Sequence, residues 1–147
     1  MSYTNLIYHI VFSTKERQQM LPADRIARVC EYTRGIIVNL EGTPLAINGV
    51  GDHIHIAAVI GPTIALAQFV GTVKSNCSKW IHSTFSDMQD FAWQDGYGAF
   101  SVSASVRETV VSYIQNQETH HQKMCFRDEL IQLLEKHGVE YNPEYIQ

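Results

Sequence analysis

The sequence predicts one α+β domain, in which helices pack on an antiparallel, ferredoxin-like β-sheet. Strand and helix patterns interleave in the order β-α-β-β-α-β-α-α, and only a two-residue turn separates the two central strands. No linker, repeat or low-complexity tract interrupts the chain, and apolar residues make up 45% of its 147 residues, which is enough for one core. We therefore expect a single domain over residues 1–147.

Four segments rich in branched and aromatic side chains are predicted to be strands. They cover residues 5–13, 43–50, 53–60 and 96–103. The first alternates apolar and polar side chains, as a half-buried strand does. Gly51 and Asp52 form a plausible hairpin turn between the second and third strands. A loop over residues 84–96 leads into the fourth, so the central hairpin is flanked by longer connections.

Four segments carry the apolar spacing of amphipathic helices. They cover residues 22–40, 62–82, 106–120 and 127–137. Pro22 and Pro62 favour the first turns of the first two helices, and Gly42 follows the end of the first. Ser105 and Glu108 have the spacing of a capping box, which predicts the start of the third helix. These signals predict where the helices begin.

Composition excludes several classes of protein. A net charge of −4 and a pI of 5.9 argue against a protein that coats nucleic acid non-specifically, although they leave room for a local basic groove. No apolar stretch is long enough for a membrane helix, so no membrane partner is expected. Cys30, Cys77 and Cys125 are far apart, which argues against a zinc knuckle and a disulfide framework and favours a reducing cytoplasm.

His53 and His55 form the most informative pair in the sequence. They lie two residues apart in a predicted strand, so both imidazoles project from the same face of the sheet. Two neighbouring imidazoles can bind one metal ion if another element supplies a third ligand. Two unrelated histidines with ordinary hydrogen bonds are the alternative, but the strand around them is otherwise apolar.

The third predicted helix carries Tyr113 and Gln117, one turn apart. Val106, Val110 and Ile114 recur every four residues and mark the face expected to pack on the sheet. Gln117 falls within this apolar stripe and Tyr113 at its edge. A glutamine that points into a packed face needs a partner, and a metal ion would be one. The alternative is a backbone hydrogen bond for Gln117 and a packing role for Tyr113.

Several motifs together resemble the HUH single-tyrosine transposases, which are the TnpA-type enzymes of the smallest insertion sequences and their REP-associated relatives. The motifs are YHIVFSTKERQQ (8–19), GDHIHIAAV (51–59), VKSNCSKWI (73–81), WQDGYGAFSVSAS (93–105), YIQNQETHH (113–121) and LLEKHGVEYNPEY (133–145). The order of the His pair, the GYGAFSVS strand and the tyrosine motif is specific to this family. The resemblance implies the HUH endonuclease fold over nearly the whole chain.

The resemblance also implies a mechanism. Tyr113 matches the nucleophile, and His53, His55 and Gln117 match the metal ligands. The expected enzyme cleaves and rejoins single-stranded DNA at hairpin-marked ends through a 5′-phosphotyrosine, with Mg²⁺ or Mn²⁺ as the divalent metal. It is expected to be a homodimer whose subunits share their active sites, acting in a bacterial or archaeal cytoplasm. His9, Asp52 and His120 are candidates to support the ligands. The alternative is an ordinary hydrogen-bonded histidine for His9 and a solvated side chain for His120.

Predicted contacts with DNA phosphates come from the few cations near these motifs. The candidates are Lys15, Arg17, Lys74, Lys79 and Arg107. For each, a solvated surface charge is the alternative. Trp80, Trp93 and Tyr97 are candidates for stacking on unpaired bases, with a role in the core as the alternative.

Two other functions remain open from the sequence. A ferredoxin-like sheet can bind single-stranded nucleic acid, including a hairpin, without catalysis. A small metal-dependent hydrolase would instead use a general base near the histidines, for which Asp52 is the nearest candidate. Replacing Tyr113 with Phe separates a hydrolase from a tyrosine transposase, because the activity of a hydrolase should survive the change and that of a transposase should not.

Overall fold

In the part of the chain that the structure describes, four strands form one antiparallel sheet in the order β2-β3-β1-β4. This computed structural model describes residues 1–121 and 124–146, apart from the side chains of residues 120 and 121. The strands are β1 (Ile7–Ser13), β2 (Thr43–Val50), β3 (His53–Val59) and β4 (Gly98–Val102). The order is that of a ferredoxin-like sheet, so the predicted fold class is confirmed.

Among the described residues, five helices pack on the two faces of the sheet. They are α1 (Ile26–Asn39), α2 (Leu66–Thr84), α3 (Arg107–Gln115), α4 (Gln117–His121) and α5 (Phe126–Lys136). Short 3₁₀ turns precede α1 and α3 and follow β1 and α2. Within the described residues, none of these helices has the length and apolarity to cross a membrane.

Strand alternation divides the interior into two layers. Ile10, Phe12, Ile54 and Ile56 point to one face, where they form the main core with α1 and α2. His9, Val11, His53, His55 and Ala57 point to the other face, which α3 and α5 cover. The predicted histidine pair therefore lies under a second, smaller helical layer.

Three predicted helix starts differ from the structure. Pro22 lies before a 3₁₀ turn that precedes α1, instead of within the helix. Pro62 lies in a turn, and α2 begins only at Leu66. The predicted capping box is wrong. A 3₁₀ turn precedes α3, so the cap moves upstream and the Ser103 side chain accepts a hydrogen bond from the backbone N–H of Ser105 at 3.4 Å.

The predicted third helix is broken at Asn116. Its backbone (φ −101°, ψ 23°) leaves the helical region, and its side-chain amide donates to the Ser112 carbonyl at 2.8 Å. The amide of Asn48, on β2, donates to the Gln115 carbonyl at 3.1 Å and holds the end of α3 on the sheet. Val106 was expected to face the sheet but is 44% exposed, because it belongs to the 3₁₀ turn before α3.

Candidate metal and tyrosine site

His53 and His55 are completely buried, and each ring is held at Nδ1. The Nδ1–H of His53 donates to the Asp52 carboxylate at 2.7 Å. The Nδ1 of His55 lies 2.7 Å from Nε2 of His9, which pairs with β3 from the neighbouring strand β1. Hydrogen bonds at Nδ1 fix the orientation of a metal-binding imidazole and leave Nε2 for the metal. The structure therefore brings Asp52 and His9 into contact with the two imidazoles, and their role in supporting metal ligands stays a prediction.

Glu129, on α5, brings a carboxylate to both imidazoles. Its Oε1 lies 2.9 Å from Nε2 of His55 and 3.4 Å from Nε2 of His53. Its Oε2 accepts a hydrogen bond from the hydroxyl of Tyr113. Glu129 is only 1% exposed. One possible ligand atom from each of His53, His55 and Glu129 lies within 4.8 Å of the other two. One carboxylate thus joins the histidine pair to the tyrosine.

Gln117 is completely buried at the start of α4. Its Nε2 donates to the Tyr113 backbone carbonyl at 3.4 Å, while its Oε1 has no hydrogen-bond partner among the described residues. Buried polar atoms rarely lack a partner, and leaving one without costs about 1–3 kcal/mol. A buried amide oxygen without a partner, one helical turn after Tyr113, is what a missing metal ligand would leave.

Tyr113, on α3, is half-buried against the same cluster. Its ring centroid lies 5.9 Å from that of His55 and 6.1 Å from that of His9. Burial, followed by the hydrogen bond to Glu129, raises the pKa of the hydroxyl above its usual value. Without substrate, the phenol is therefore protonated and bonded to a carboxylate that can accept its proton.

Burial and charge shift the pKa values of His9 and His53 in opposite directions. Burial, and then the charge of His55, lowers the pKa of His9 to about 3, so His9 is a neutral hydrogen-bond partner near pH 7. Burial alone would lower the pKa of His53, but hydrogen bonds to Asp52 and Glu129 raise it above the usual value. The negative surroundings of His53 favour a cation at this site.

The donor set fits a divalent metal ion. The cluster offers two imidazole nitrogens and one carboxylate, and the buried amide oxygen of Gln117 lies four residues after Tyr113. Mn²⁺ and related ions accept all of these ligand types, and carboxylate and amide oxygens also suit Mg²⁺. His53, His55 and Gln117 were expected from the sequence. Glu129 was missed, although a carboxylate on the apolar face of α5, beside Phe126 and Leu130, was a visible signal.

The predicted phosphate contacts are dispersed. Lys15 is exposed in the turn after β1, Lys79 is exposed on α2, and Arg107 is exposed at the start of α3. Lys74 is bound to the loop before β4, because its Nζ donates to the carbonyls of Gln94 at 2.6 Å and Gly96 at 2.8 Å. This pair of bonds gives Lys74 a structural role, and its contact with DNA stays a prediction.

Arg17 is half-buried in a turn whose backbone is unusual. Glu16 and Arg17 both have positive φ, at 56° and 52°, which is uncommon for residues with side chains. Arg17 lines a cavity of about 330 Å³ together with Tyr97, and its Nε has no hydrogen-bond partner among the described residues. Its predicted contact with DNA therefore remains open. The role proposed for His120 concerns a side chain outside the described part of the chain.

The aromatic candidates occupy different surroundings. Trp93 packs edge-on against Phe12 at 4.8 Å, which supports the core alternative for this residue. Trp80 stacks on Tyr32 at 4.6 Å on the helical face that lies across the sheet from the histidines. Tyr97 is 42% exposed and remains available to a ligand.

Comparison with known proteins agrees with the resemblance. The family described as "Transposase IS200 like" matches residues 2–117. The ISDra2 transposase TnpA of Deinococcus radiodurans is 21% identical over 117 residues, which cover 76% of this chain and 84% of that protein.

Two solved structures share the fold. A candidate transposase from Deinococcus radiodurans R1 has a TM-score of 0.64 and 23% identity, over 79% of this chain and 93% of its own. A REP-associated tyrosine transposase bound to a REP hairpin has a TM-score of 0.60 and 11% identity, over 82% of this chain and 72% of its own. The family match covers most of the chain, and we conclude that the chain belongs to the IS200-like transposase family.

Proposed function

We propose that this transposase cleaves and rejoins single-stranded DNA at hairpin-marked element ends, with Tyr113 as the nucleophile and a divalent metal, Mg²⁺ or Mn²⁺, as cofactor. The observation that carries the proposal is the hydrogen bond between the Tyr113 hydroxyl and Glu129, whose other oxygen faces His53 and His55. A nucleophile, a proton acceptor and a set of metal ligands thus meet around one buried carboxylate.

His53, His55 and Glu129 would hold the metal, with the amide oxygen of Gln117 as a further ligand. When bound, the metal supplies charge that neutralises the scissile phosphate and favours its displacement. Asp52 and His9 keep the two imidazoles oriented through their Nδ1 atoms.

The chain's own groups carry out the covalent step. The Tyr113 oxygen attacks phosphorus while its proton passes to Oε2 of Glu129, its hydrogen-bond partner. The bond from phosphorus to the 3′ oxygen breaks, and this oxygen leaves with the electron pair and takes a proton from water. A 5′-phosphotyrosine and a free 3′-hydroxyl result. In the rejoining step, the oxygen of another 3′-hydroxyl bonds to phosphorus and its proton passes to the hydroxide left by the first step. The bond from phosphorus to the Tyr113 oxygen breaks, and this oxygen recovers its proton from Glu129.

The resemblance implies a homodimer with shared active sites, and we retain the homodimer as part of the proposal. Tyr113 nevertheless lies against His9 and His55 of its own chain. This contact supports an active site in which each subunit uses its own tyrosine. The hydrolase alternative loses support, because its proposed base, Asp52, is engaged by the ring of His53.

Covalent capture tests the proposal. Purified protein is incubated with single-stranded hairpins from the flanks of its gene, with Mg²⁺ or Mn²⁺, and run on a denaturing gel. We expect a slowly migrating protein–DNA adduct that is lost in Tyr113→Phe and on chelation. Tyr3→Phe is the matched control, because Tyr3 is 88% exposed and lies outside the cluster. Binding of a hairpin without any adduct would support the non-catalytic alternative instead.

A further inference from the structure

A cavity of about 310 Å³ opens beside Tyr113, between β4, α3 and α5. Tyr113 and Glu129 line it, so it reaches the cluster described above. Its other side is lined by Lys136 and His137, which are exposed at the end of α5. The cavity therefore connects solvent with the proposed nucleophile.

Lys136 gives this cavity a positive charge. It forms no ion pair with any residue that the structure describes. It lies in the last turn of α5, and the adjacent His137 is fixed by a 2.8 Å bond from Nδ1 to the Leu133 carbonyl and by stacking on Phe100 at 4.6 Å. Lys136 and His137 line the same cavity as His9, Tyr113 and Glu129, which places both residues near the cluster.

The remaining wall of the cavity is largely apolar. Val102, Val106, Val110 and Leu133 line it, with the hydroxyl of Thr109 among them. A nucleotide combines a base, whose flat face packs on apolar side chains, with an anionic phosphodiester, so these two parts match the valine wall and the lysine. The volume lies at the lower end of the roughly 300–1,000 Å³ typical of small-molecule sites, which suits one nucleotide.

We propose that this cavity binds the nucleotide adjoining the scissile phosphate, with the Lys136 ammonium contacting its phosphodiester. The proposal rests on the proposed function, because it takes Tyr113 as the reacting group. It adds a phosphate contact that the sequence analysis did not name. Arg107, which was named there, is not among the residues that line this cavity.

Salt-dependent binding tests the lysine. Fluorescence anisotropy with labelled twelve-residue oligothymidylate is measured between 50 and 200 mM salt in a Tyr113→Phe background. Each lost phosphate contact reduces the slope of log affinity against log salt by about 0.7 for a single strand. Lys136→Gln should show this reduction. Arg34→Gln, which removes an exposed cation from α1 across the sheet, should not. Equal slopes in the two variants would overturn the proposal.

Blocking the cavity provides a second test that does not depend on charge. Val106→Trp places a large ring at an exposed position in the cavity wall, where folding should tolerate it. We expect oligothymidylate binding to be lost, while added Mn²⁺ should still raise Tm, because a ligand that binds the folded state stabilises it. Unchanged binding would refute the location of the site.

These results separate the two proposals. An adduct on Tyr113 together with an unchanged Lys136→Gln slope would reject the cavity but leave the proposed function intact. A reduced slope without any adduct would reject the proposed function, and it would reduce the cavity proposal to a phosphate contact at Lys136.

Discussion

Replacing Glu129 with the isosteric Gln should weaken the response of the fold to metal. Glu129 is 1% exposed, and its Oε1 lies 2.9 and 3.4 Å from the two imidazole nitrogens. Metal at about 100 times its Kd stabilises a folded protein by about 2.7 kcal/mol. For a chain of this length each kcal/mol raises Tm by about 2–4 °C, so the wild-type protein should gain about 5–11 °C.

The variant should keep only part of this gain. Loss of groups that merely orient a ligand weakens metal binding about 10–100-fold, and loss of a ligand carboxylate should weaken it at least as much. At the same metal concentration the variant then retains about 0.4–1.4 kcal/mol, or about 1–6 °C.

Thermal unfolding followed by circular dichroism, with and without Mn²⁺, measures this difference. The Tm of Glu129→Gln without metal serves as its own baseline. Glu31→Gln is the matched control, since Glu31 is exposed on α1, across the sheet from the cluster. If Glu129→Gln gains as much as the wild-type protein, Glu129 does not bind the metal and the reasoning fails.

Three further predictions concern stability, cysteine reactivity and the sharing of active sites between subunits. Asn48→Ala removes a hydrogen bond to the end of α3 and should cost about 1 kcal/mol; a Tm unchanged by calorimetry would contradict this anchoring role. Burial raises the pKa of Cys30 to about 12 and of Cys77 to about 11, so only about 0.01% and 0.1% should be thiolate at pH 8. Mass spectrometry should find both cysteines unmodified after brief iodoacetamide treatment of the folded protein and modified once the chain is denatured. Rapid labelling of the folded protein would contradict the raised pKa values. Mixing Tyr113→Phe with His55→Ala should restore no adduct if each subunit uses its own tyrosine; restored adduct would mean that subunits share sites.

The strand arrangement and the histidine face could be predicted because both follow from local patterns. Period-two alternation places His53 and His55 on one side of a strand wherever that strand lies. The helix boundaries were less predictable. The break at Asn116 depends on side-chain hydrogen bonds from Asn116 and from Asn48, and the partner of Asn48 is far along the chain. Helical periodicity contains no signal for such contacts.

The candidate site was only partly predictable for the same reason. His53, Tyr113 and Gln117 belong to motifs that a sequence displays, whereas Glu129 acts through α5, which packs on the sheet from a distant segment. A buried carboxylate on an apolar helix face was a sign that it has a partner, but the identity of the partner came from tertiary packing.

Mapping the covalent link tests the central claim most directly. The tryptic peptide over residues 108–123 contains one tyrosine, Tyr113, so an adduct on that peptide identifies the residue. After incubation with a cleavable flanking strand and metal, the DNA is trimmed with nuclease and the digest is analysed by mass spectrometry. The account predicts a nucleotide remnant attached through phosphate to Tyr113. A remnant on any other tyrosine, or cleavage without a covalent link, would contradict it.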